Sequence, residues 1–293
     1  MSGADIFTAA NKRISVEKCM NNSIKTILVS PHSDDIAYSI GGSLLQDFFM
    51  KPILMVTVFT RSNYSPNIKT NDIEISSKIR QSEDIEFINK VKIDYQSFKF
   101  SEPPLRGYSH NNMFECNNPA LDPIYSEVYN SLRKLIKSYP CELIVAPIGL
   151  GNHIDHIMIC DICHKISREN NIKIIFYEDL PYALWVTLNQ IKLRANSITS
   201  GLQPVKIDIT TKFNDKYNNI KLYKSQRWIF QILIKLHSLR IGMEDKRFLE
   251  LIYPTNLLRY FMCLFTNKCT RATFFERFWV DKGVEDEYSF SCT

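Results

Sequence analysis

Apolar, strand-like runs that alternate with helix-like stretches constrain the fold of this chain most. The runs lie at residues 26–30, 53–60, 92–98, 143–148 and 173–177, and helix-like stretches lie at 42–49, 75–90, 123–138 and 157–170. Strands that alternate with helices predict right-handed crossovers and a mainly parallel sheet. The run at 53–60 is apolar throughout, as expected where helices cover both faces of the sheet. The sequence therefore predicts an α/β fold with a mainly parallel sheet and helices on both faces.

Two segments depart from this alternation. Residues 101–122 are rich in Pro and Asn and predict a long irregular loop, a type of segment that often serves as a functional lid. From residue 181 onward the alternation weakens, and we expect a short strand at 205–209, a helix over 213–238 and a mixed tail. The aromatic run at 274–279 is interpreted as core or interface packing. We expect one domain over residues 1–293, with a core at about 24–180 and a C-terminal helical extension at about 181–293.

Composition and charge exclude several classes of protein. The 36 basic and 31 acidic residues give a net charge of +5 and are mixed along the chain, without the basic block typical of nucleic-acid binding. No apolar stretch reaches the ~20 residues that span a bilayer. The polar residues 1–22 lack the apolar core of a signal peptide, and the eight scattered cysteines fit a reducing compartment. We expect a cytoplasmic protein with no membrane span and no nucleic-acid partner, with homo-oligomers left open.

Two groups of His and Asp side chains follow strand-like runs. His32, Asp34 and Asp35 come directly after the run Thr26–Ser30, and a second group of His and Asp at residues 153–156 comes after the run at 143–148. Parallel α/β sheets collect their ligands at the carboxyl ends of the strands, where such groups can meet. The sequence therefore predicts that both groups contribute to one site.

The residue types in these groups fit a catalytic metal site. Two imidazoles and one carboxylate form a ligand set for catalytic zinc that leaves one position open for water. The metal lowers the pKa of that water, and a carboxylate that is not itself a ligand can accept its proton. Asp34, next to Asp35, is available for this task. We therefore interpret the chain as a metal-dependent hydrolase.

Each group alone has a simpler explanation. A pair of aspartates after a strand usually caps a helix, and two histidines three residues apart usually lie on a surface or in packing. Their combination in one α/β pattern favours the metal site. Two other functions stay open at this point. One is a metal-dependent hydrolase of another amide or of an ester, and the other is a sugar- or nucleotide-binding module whose His and Asp residues are structural.

Both groups resemble motifs of a known family. Residues 30–35 followed by Gly41 and Gly42, and the later residues 153–156, resemble the PIG-L/LmbE-like family of zinc-dependent N-acetylglucosaminyl deacetylases. Weaker similarities lie at residues 80–83, 177–182 and 224–226, so that the resemblance covers about residues 24–230. It implies a Rossmann-like fold and the hydrolysis of an acetamide on an amino sugar, free or in a glycoconjugate.

The resemblance also implies a role for each matching residue. Asp34 would be the general base that activates water and later protonates the leaving amine. His153 would stabilise the tetrahedral oxyanion, and Asp155 would orient an imidazole. The ligands of Zn²⁺, or of another divalent metal, would be His32, Asp35 and His156.

The chain departs from the family pattern at three positions. Ser33 and Ile36 stand where the commonest motif has Pro and Glu, and neither position supplies a ligand. Some members carry a Tyr two residues before the histidine pair that polarises the substrate carbonyl, and Gly151 occupies that place here. Stabilisation of the oxyanion would then fall on His153 and the metal, or on a Tyr from elsewhere such as Tyr182.

Four residues are expected to contact the substrate. Arg80 belongs to the matching helix, whereas Arg106 lies in the long loop and could contact a sugar hydroxyl or an anionic group. Glu178 follows the fifth predicted strand and could anchor the site, and Tyr182 follows shortly after it. A surface ion pair, a solvated loop arginine and a helix cap are the simpler readings of the first three.

Overall fold

The computed structural model describes residues 24–68, 70–116, 118–243 and 273–281. Within these residues the strands form one seven-stranded sheet of order β3-β2-β1-β4-β5-β7-β6. The strands are β1 (Thr26–Ser30), β2 (Ile53–Arg61), β3 (Asp94–Ser101), β4 (Leu143–Pro147), β5 (Lys173–Tyr177), β6 (Gln203–Asp208) and β7 (Phe275–Val280). The five strands from β3 to β5 are parallel, whereas β7 runs antiparallel to both of its neighbours.

Helices connect most of these strands. They are α1 (Asp35–Leu45), α2 (Ile73–Val91), α3 (Tyr125–Ser138), α4 (Ile154–Asn170), α5 (Leu188–Ile198), α6 (Phe213–Ile220) and α7 (Ile229–Met243). Every residue of β1 and β4 is buried, and β2 is buried up to its last residue, because these strands lie in the interior of the sheet. One hydrophobic core extends over the described residues from Ile24 to Val280. The predicted α/β fold with a mainly parallel sheet is confirmed.

The order of the strands creates a crevice next to β1. The chain passes from β1 outward to β2 and β3, and it then returns to β4 on the other side of β1. Connections that leave neighbouring parallel strands in opposite directions open a crevice at the carboxyl ends of those strands, where ligands bind. Both groups of His and Asp side chains lie at this crevice, because one follows β1 and the other follows β4.

Two helices differ from the sequence-based expectation. The first helix begins at Asp35 rather than at residue 42, so that Gly42 lies inside it. A glycine is needed there because a Cβ atom at position 42 would lie only 2.7 Å from the side chain of Ile209. The expected helix over residues 213–238 is two helices, α6 and α7. Between them, the backbone N–H and hydroxyl of Ser225 donate hydrogen bonds to Glu83 and hold the chain against α2.

The C-terminal extension contains helices and the expected short strand, which is β6, and it adds a second strand, β7, that was not expected. The strand β6 lies at the edge of the sheet, and β7, formed by the aromatic run, inserts between β5 and β6. Phe278 and Trp279 are buried there. The rest of the expected mixed tail, at 244–272 and 282–293, lies outside the described residues.

The long loop between β3 and α3 contains only short 3-10 turns, at Pro103–Arg106, Asn112–Phe114 and Pro119–Leu121. Its irregular character agrees with its Pro and Asn content. No helix among the described residues has the length and apolar character needed to cross a membrane.

Candidate active site

The turns after β1 and β4 bring together three donor atoms that could hold a metal ion. His32 Nδ1 lies 3.2 Å from His156 Nε2, and Asp35 Oδ2 lies 3.5 Å from each of these nitrogens. A tetrahedral ion with bonds of about 2.1 Å places neighbouring ligands about 3.4 Å apart. All three residues are buried. Their spacing and donor types therefore fit a tetrahedral metal ion with one position left open.

The second ring nitrogen of His32 and that of His156 each contact a carboxylate. His32 Nε2 lies 2.9 Å from Asp155 Oδ2, and His156 Nδ1 lies 2.6 Å from Asp179 Oδ1. Such contacts fix the tautomer and the ring orientation of a metal-binding histidine. They also direct the two remaining nitrogens at each other, and two imidazole nitrogens at 3.2 Å need a proton or a cation between them.

The orienting carboxylates are themselves anchored. Asp155 Oδ1 accepts a hydrogen bond of 2.7 Å from Arg106, which also donates to Asp122 in the long loop. Asp179 Oδ2 accepts hydrogen bonds from the backbone N–H groups of Gly149 and Leu150 in the turn after β4. The loop and the turn thereby fix the orientation of both imidazoles.

Electrostatics distinguish the two neighbouring aspartates. Burial and the charge of Asp35 raise the pKa of Asp34 well above its usual range, although Arg80 and His32 oppose this effect. Burial alone would also raise the pKa of Asp35, but His156 and His32 lower it. Neighbouring carboxyl groups with opposite pKa shifts typically divide the work, one as a fixed charge and one as a group that exchanges protons.

The backbone at Asp34 is strained. Its φ of 120° lies in a region that residues other than glycine rarely adopt. None of the residues that the structure describes donates a hydrogen bond to the Asp34 carboxyl group. The carboxyl, which adjoins Asp35 in the sequence, is therefore free to bond a water molecule or a substrate.

His153 lies next to the converging donor atoms of His32, Asp35 and His156. It caps the N-terminus of α4, and its Nδ1 accepts a hydrogen bond from the backbone N–H of Asp155 at 3.3 Å. Its ring packs against those of His32 and His156 with centroid distances of 5.1 and 5.2 Å, and these three imidazoles have ring nitrogens within 4.8 Å of one another. Burial lowers the pKa of His153, so its imidazole is neutral.

The carboxylates around His32 favour a positive charge in the candidate active site. Burial alone would lower the pKa of His32, but hydrogen bonds to Asp155 and Asp35 raise it to about 10. A site that stabilises a protonated imidazole so strongly is suited to a bound cation.

Three of the four residues expected to contact the substrate have internal partners, and their contact with a substrate stays a prediction. Arg80 is buried and donates to Glu102, to Ser62 and to the backbone oxygen of Ser33 in the turn after β1. Arg106 bonds Asp155 and Asp122, as described above. Both guanidinium groups thus pair with internal carboxylates, although Nε of Arg106 is buried without a hydrogen-bond partner among the described residues. Both arginines position the residues around the ligand atoms.

Glu178 points away from the ligand atoms. Its carboxylate accepts hydrogen bonds from Arg277 and Trp279 of β7 and contacts His237 of α7. The adjacent Asp179 points to the opposite side and holds His156. The sequence places both acidic residues after β5 but does not distinguish which of them faces the site. Tyr182, the fourth expected contact, does lie beside the histidines, with its ring centroid 5.0 Å from that of His156.

Comparisons with known proteins agree with this site. Residues 27–167 match the family model described as PIG-L, GlcNAc-PI de-N-acetylase. This match covers both His and Asp groups. Residues 27–167 are thus similar to the PIG-L family. The resemblance inferred from the motifs is thereby confirmed.

A curated relative matches a longer part of the chain than the family model does. The chain is 28% identical over 207 residues to 2'-N-acetylparomamine deacetylase of Streptomyces fradiae, which covers 69% of this chain and 73% of the relative. Together with the family match, this similarity confirms the prediction of a deacetylase.

Solved structures share the fold of most of this chain. A deacetylase in complex with teicoplanin, from the biosynthesis of teicoplanin, aligns with a TM-score of 0.59 and 18% identity over 87% of this chain and 97% of that one. The 4-carboxy-2-hydroxymuconate hydratase of Pseudomonas putida aligns with a TM-score of 0.53 and 12% identity over 88% of this chain and 95% of that one. Proteins with different reactions thus share this fold, so that the function has to be argued from the site.

Proposed function

We propose that this protein is a zinc-dependent N-deacetylase that removes the acetyl group from an N-acetylated amino sugar, free or in a glycoconjugate. The observation that carries the proposal is the convergence of His32, Asp35 and His156 within 3.5 Å, beside the unbonded carboxyl group of Asp34. The S. fradiae relative is named for the deacetylation of an acetylated paromamine, which supports an amino-sugar substrate.

The donors of this chain suit zinc. We propose that His32, Asp35 and His156 hold the ion, and two imidazoles with one carboxylate also accept other divalent metals. A bound zinc ion would act as a Lewis acid and lower the pKa of water to about 7. Asp155 and Asp179 keep the two imidazoles in the orientation that this binding requires.

Asp34 performs the proton transfers in this proposal. Its carboxylate accepts the proton of the attacking water and then donates it to the nitrogen that leaves as the free amine. The raised pKa of Asp34 suits both steps, because a carboxyl group must hold the proton between them. The internal contacts of Arg80 keep the turn that carries Asp34 in place.

His153 stabilises the negative charge that develops on the acetyl oxygen. Because its Nδ1 accepts the N–H of Asp155, the proton of the neutral ring resides on Nε2, which can donate to that oxygen. A fixed donor of this kind stabilises the tetrahedral anion more than the planar amide.

The proposal is tested by amine release. Purified protein is stripped with a chelator, reloaded stepwise with zinc and incubated with N-acetylglucosamine, acetylated aminoglycoside sugars and an aryl acetate ester. We expect the free amine to appear from an N-acetyl amino sugar and to require zinc. Turnover of the ester alone would favour a different hydrolase. Protein that binds the sugars, takes up no stoichiometric zinc and releases no amine would be a binding module.

Other expectations stay predictions. We propose that residues 1–293 form one domain, that the protein acts in the cytoplasm on small-molecule amino sugars or glycoconjugates, and that it binds no nucleic acid. Homo-oligomers are tested by light scattering of the purified protein.

A further inference from the structure

The carboxyl group of Asp84 is buried and accepts hydrogen bonds from three parts of the chain. Thr57 of β2 and Tyr95 of β3 donate to Oδ2 at 2.9 and 3.1 Å, and Tyr223, between α6 and α7, donates to Oδ1 at 3.0 Å. Asp84 and Thr57 are fully buried. Burial of a carboxyl group is costly unless it is well hydrogen-bonded, and the chemistry proposed above does not use this one.

A fourth hydrogen bond to this carboxyl comes from the hydroxyl of Ser33, the residue before Asp34. Burial raises the pKa of Asp84 to about 6, although the hydrogen bonds from Ser33 and the three other hydroxyls lower it. At neutral pH the carboxyl is therefore ionised and has only acceptor sites, so that all four hydroxyls donate to it. Ser33 stands where the commonest motif of the similar family has Pro, which has no hydroxyl to donate.

Arg80 and Asp84 hold two different parts of Ser33. They lie four residues apart in α2, so that their side chains leave the same face of this helix. Arg80 Nη2 donates to the backbone oxygen of Ser33 at 3.4 Å, and Asp84 accepts the hydroxyl of the same residue. The main chain and the side chain of Ser33 are therefore both tied to α2.

The residue that follows Ser33 is the strained Asp34. A residue with a φ of 120° keeps this conformation only where its surroundings impose it. Earlier in the turn, the backbone oxygen of His32 accepts a hydrogen bond of 2.6 Å from the hydroxyl of Ser30. The contacts of Ser33 with α2 then fix the chain directly before the strained residue.

We propose that Asp84 is a positioning residue, which holds Asp34 in its catalytic position through the hydroxyl of Ser33. The proposal rests on the proposed deacetylase function and gives Asp84 no contact with substrate or metal. Catalysis depends steeply on position, since a displacement of about 1 Å can lower a rate by about 10²-fold. Without the Ser33 hydroxyl, the Asp34 carboxyl is less often within reach of the attacking water and of the leaving nitrogen.

The variant Ser33→Ala tests this role because it removes only the hydroxyl that Asp84 accepts. We expect kcat to fall by about 10- to 100-fold, with KM within about threefold of the wild-type value and with stoichiometric zinc. The matched control is Ser167→Ala, which removes a buried hydroxyl that donates to the backbone oxygen of Ile172 and should leave kcat unchanged. A kcat of Ser33→Ala within about threefold of the wild-type value, or a loss that follows missing zinc, overturns the proposal.

Double variants separate a role that passes through Asp34 from a general effect on the fold. Asp34→Asn already lacks the proton acceptor, so adding Ser33→Ala should lower its remaining kcat by no more than about twofold. Asp84→Leu and Ser33→Ala should also be non-additive, because both remove the same contact. Additive losses in either pair overturn the proposal. If Asp84→Leu does not fold, because three further hydroxyls lose their acceptor, the pair with Asp34→Asn decides.

The two proposals fail in different ways. A wild-type protein that releases acetate from no N-acetyl amino sugar overturns the deacetylase and the role of Asp84 together. An active wild type with an equally active Ser33→Ala variant overturns the role of Asp84 alone.

Discussion

Two adjacent residues after β5, Glu178 and Asp179, each hold a buried histidine, but the two pairs differ in what surrounds them. Asp179 lies 2.6 Å from His156, and Glu178 lies 2.9 Å from His237. The other nitrogen of His156 faces His32 and Asp35, where a cation fits. The other nitrogen of His237 has no hydrogen-bond partner among the described residues.

The difference lies in the balance of charge around each pair. Arg277 neutralises Glu178 directly, and burial together with Arg240 lowers the pKa of His237 to about 4. In the candidate active site the carboxylates outnumber the fixed positive charges, and the pKa of His32 is raised to about 10. A buried carboxylate–histidine pair therefore indicates a metal site only where the second nitrogen meets further donors and negative charge is in excess.

The largest expected effect on zinc binding and activity separates substitutions of His156 and His237. The variant His156→Ala deletes a ligand, so we expect bound zinc and deacetylation to be lost, by more than the ~10–100-fold that an outer partner contributes to metal affinity. His237→Gln should keep both properties. Metal analysis after dialysis and amine release are the measurements. Zinc retained by His156→Ala at the wild-type level would show that His156 is not a ligand and that the two histidines do not differ in this way.

The next largest effect concerns Asp34, which lies beside the ligands without being one. Asp34→Asn removes the proton acceptor but keeps the size of the side chain, and we expect kcat to fall by about 10²–10⁴-fold. Zinc content should stay stoichiometric, in contrast to His156→Ala. A near-normal kcat in Asp34→Asn would mean that another group accepts the proton.

The two adjacent acidic residues provide a matched pair of variants. Asp179→Asn should weaken zinc binding by about 10–100-fold while leaving the unfolding free energy nearly intact. Glu178→Gln should leave zinc affinity unchanged and lower the unfolding free energy by about 3–5 kcal/mol, because Arg277 then carries a buried charge without its partner. Zinc titration and urea unfolding of both variants measure the zinc affinity and the unfolding free energy of each. If Glu178→Gln weakens zinc binding as much as Asp179→Asn, the division between the two residues is wrong.

The sequence was sufficient for the parallel part of the fold and for the residues that converge in the site. Strands buried on both faces have a strong apolar signal, and residues that follow β1 and β4 must meet because those strands are neighbours. Antiparallel β7 was not predicted as a strand, since its aromatic residues pack equally well in a helix or an interface and its partners lie about 70 to 100 residues away.

The internal contacts of the charged residues could not be predicted from the sequence. Arg80, Arg106 and Glu178 lie near the site along the chain, but their partners are chosen by burial, which requires opposite charges to pair wherever water is excluded. The sequence could not decide whether Glu178 or Asp179 anchors the site, because the direction of each side chain after β5 depends on the turn that follows.

The smallest expected effect is a pH dependence that belongs to His237 and not to the site. The folded pKa of about 4 lies below the ordinary value of 6.5, so between these pH values the unfolded chain binds the extra proton. The unfolding free energy of the metal-free protein should therefore gain a positive slope of at most about 1.4 kcal/mol per pH unit in this window, and the gain should end above it. Urea unfolding at pH 4.5 to 7 measures the slope, and subtraction of the His237→Gln curve removes contributions of other groups. Equal slopes for the two proteins would show that His237 titrates normally, and the contrast with the site histidines would then have to be drawn from geometry alone.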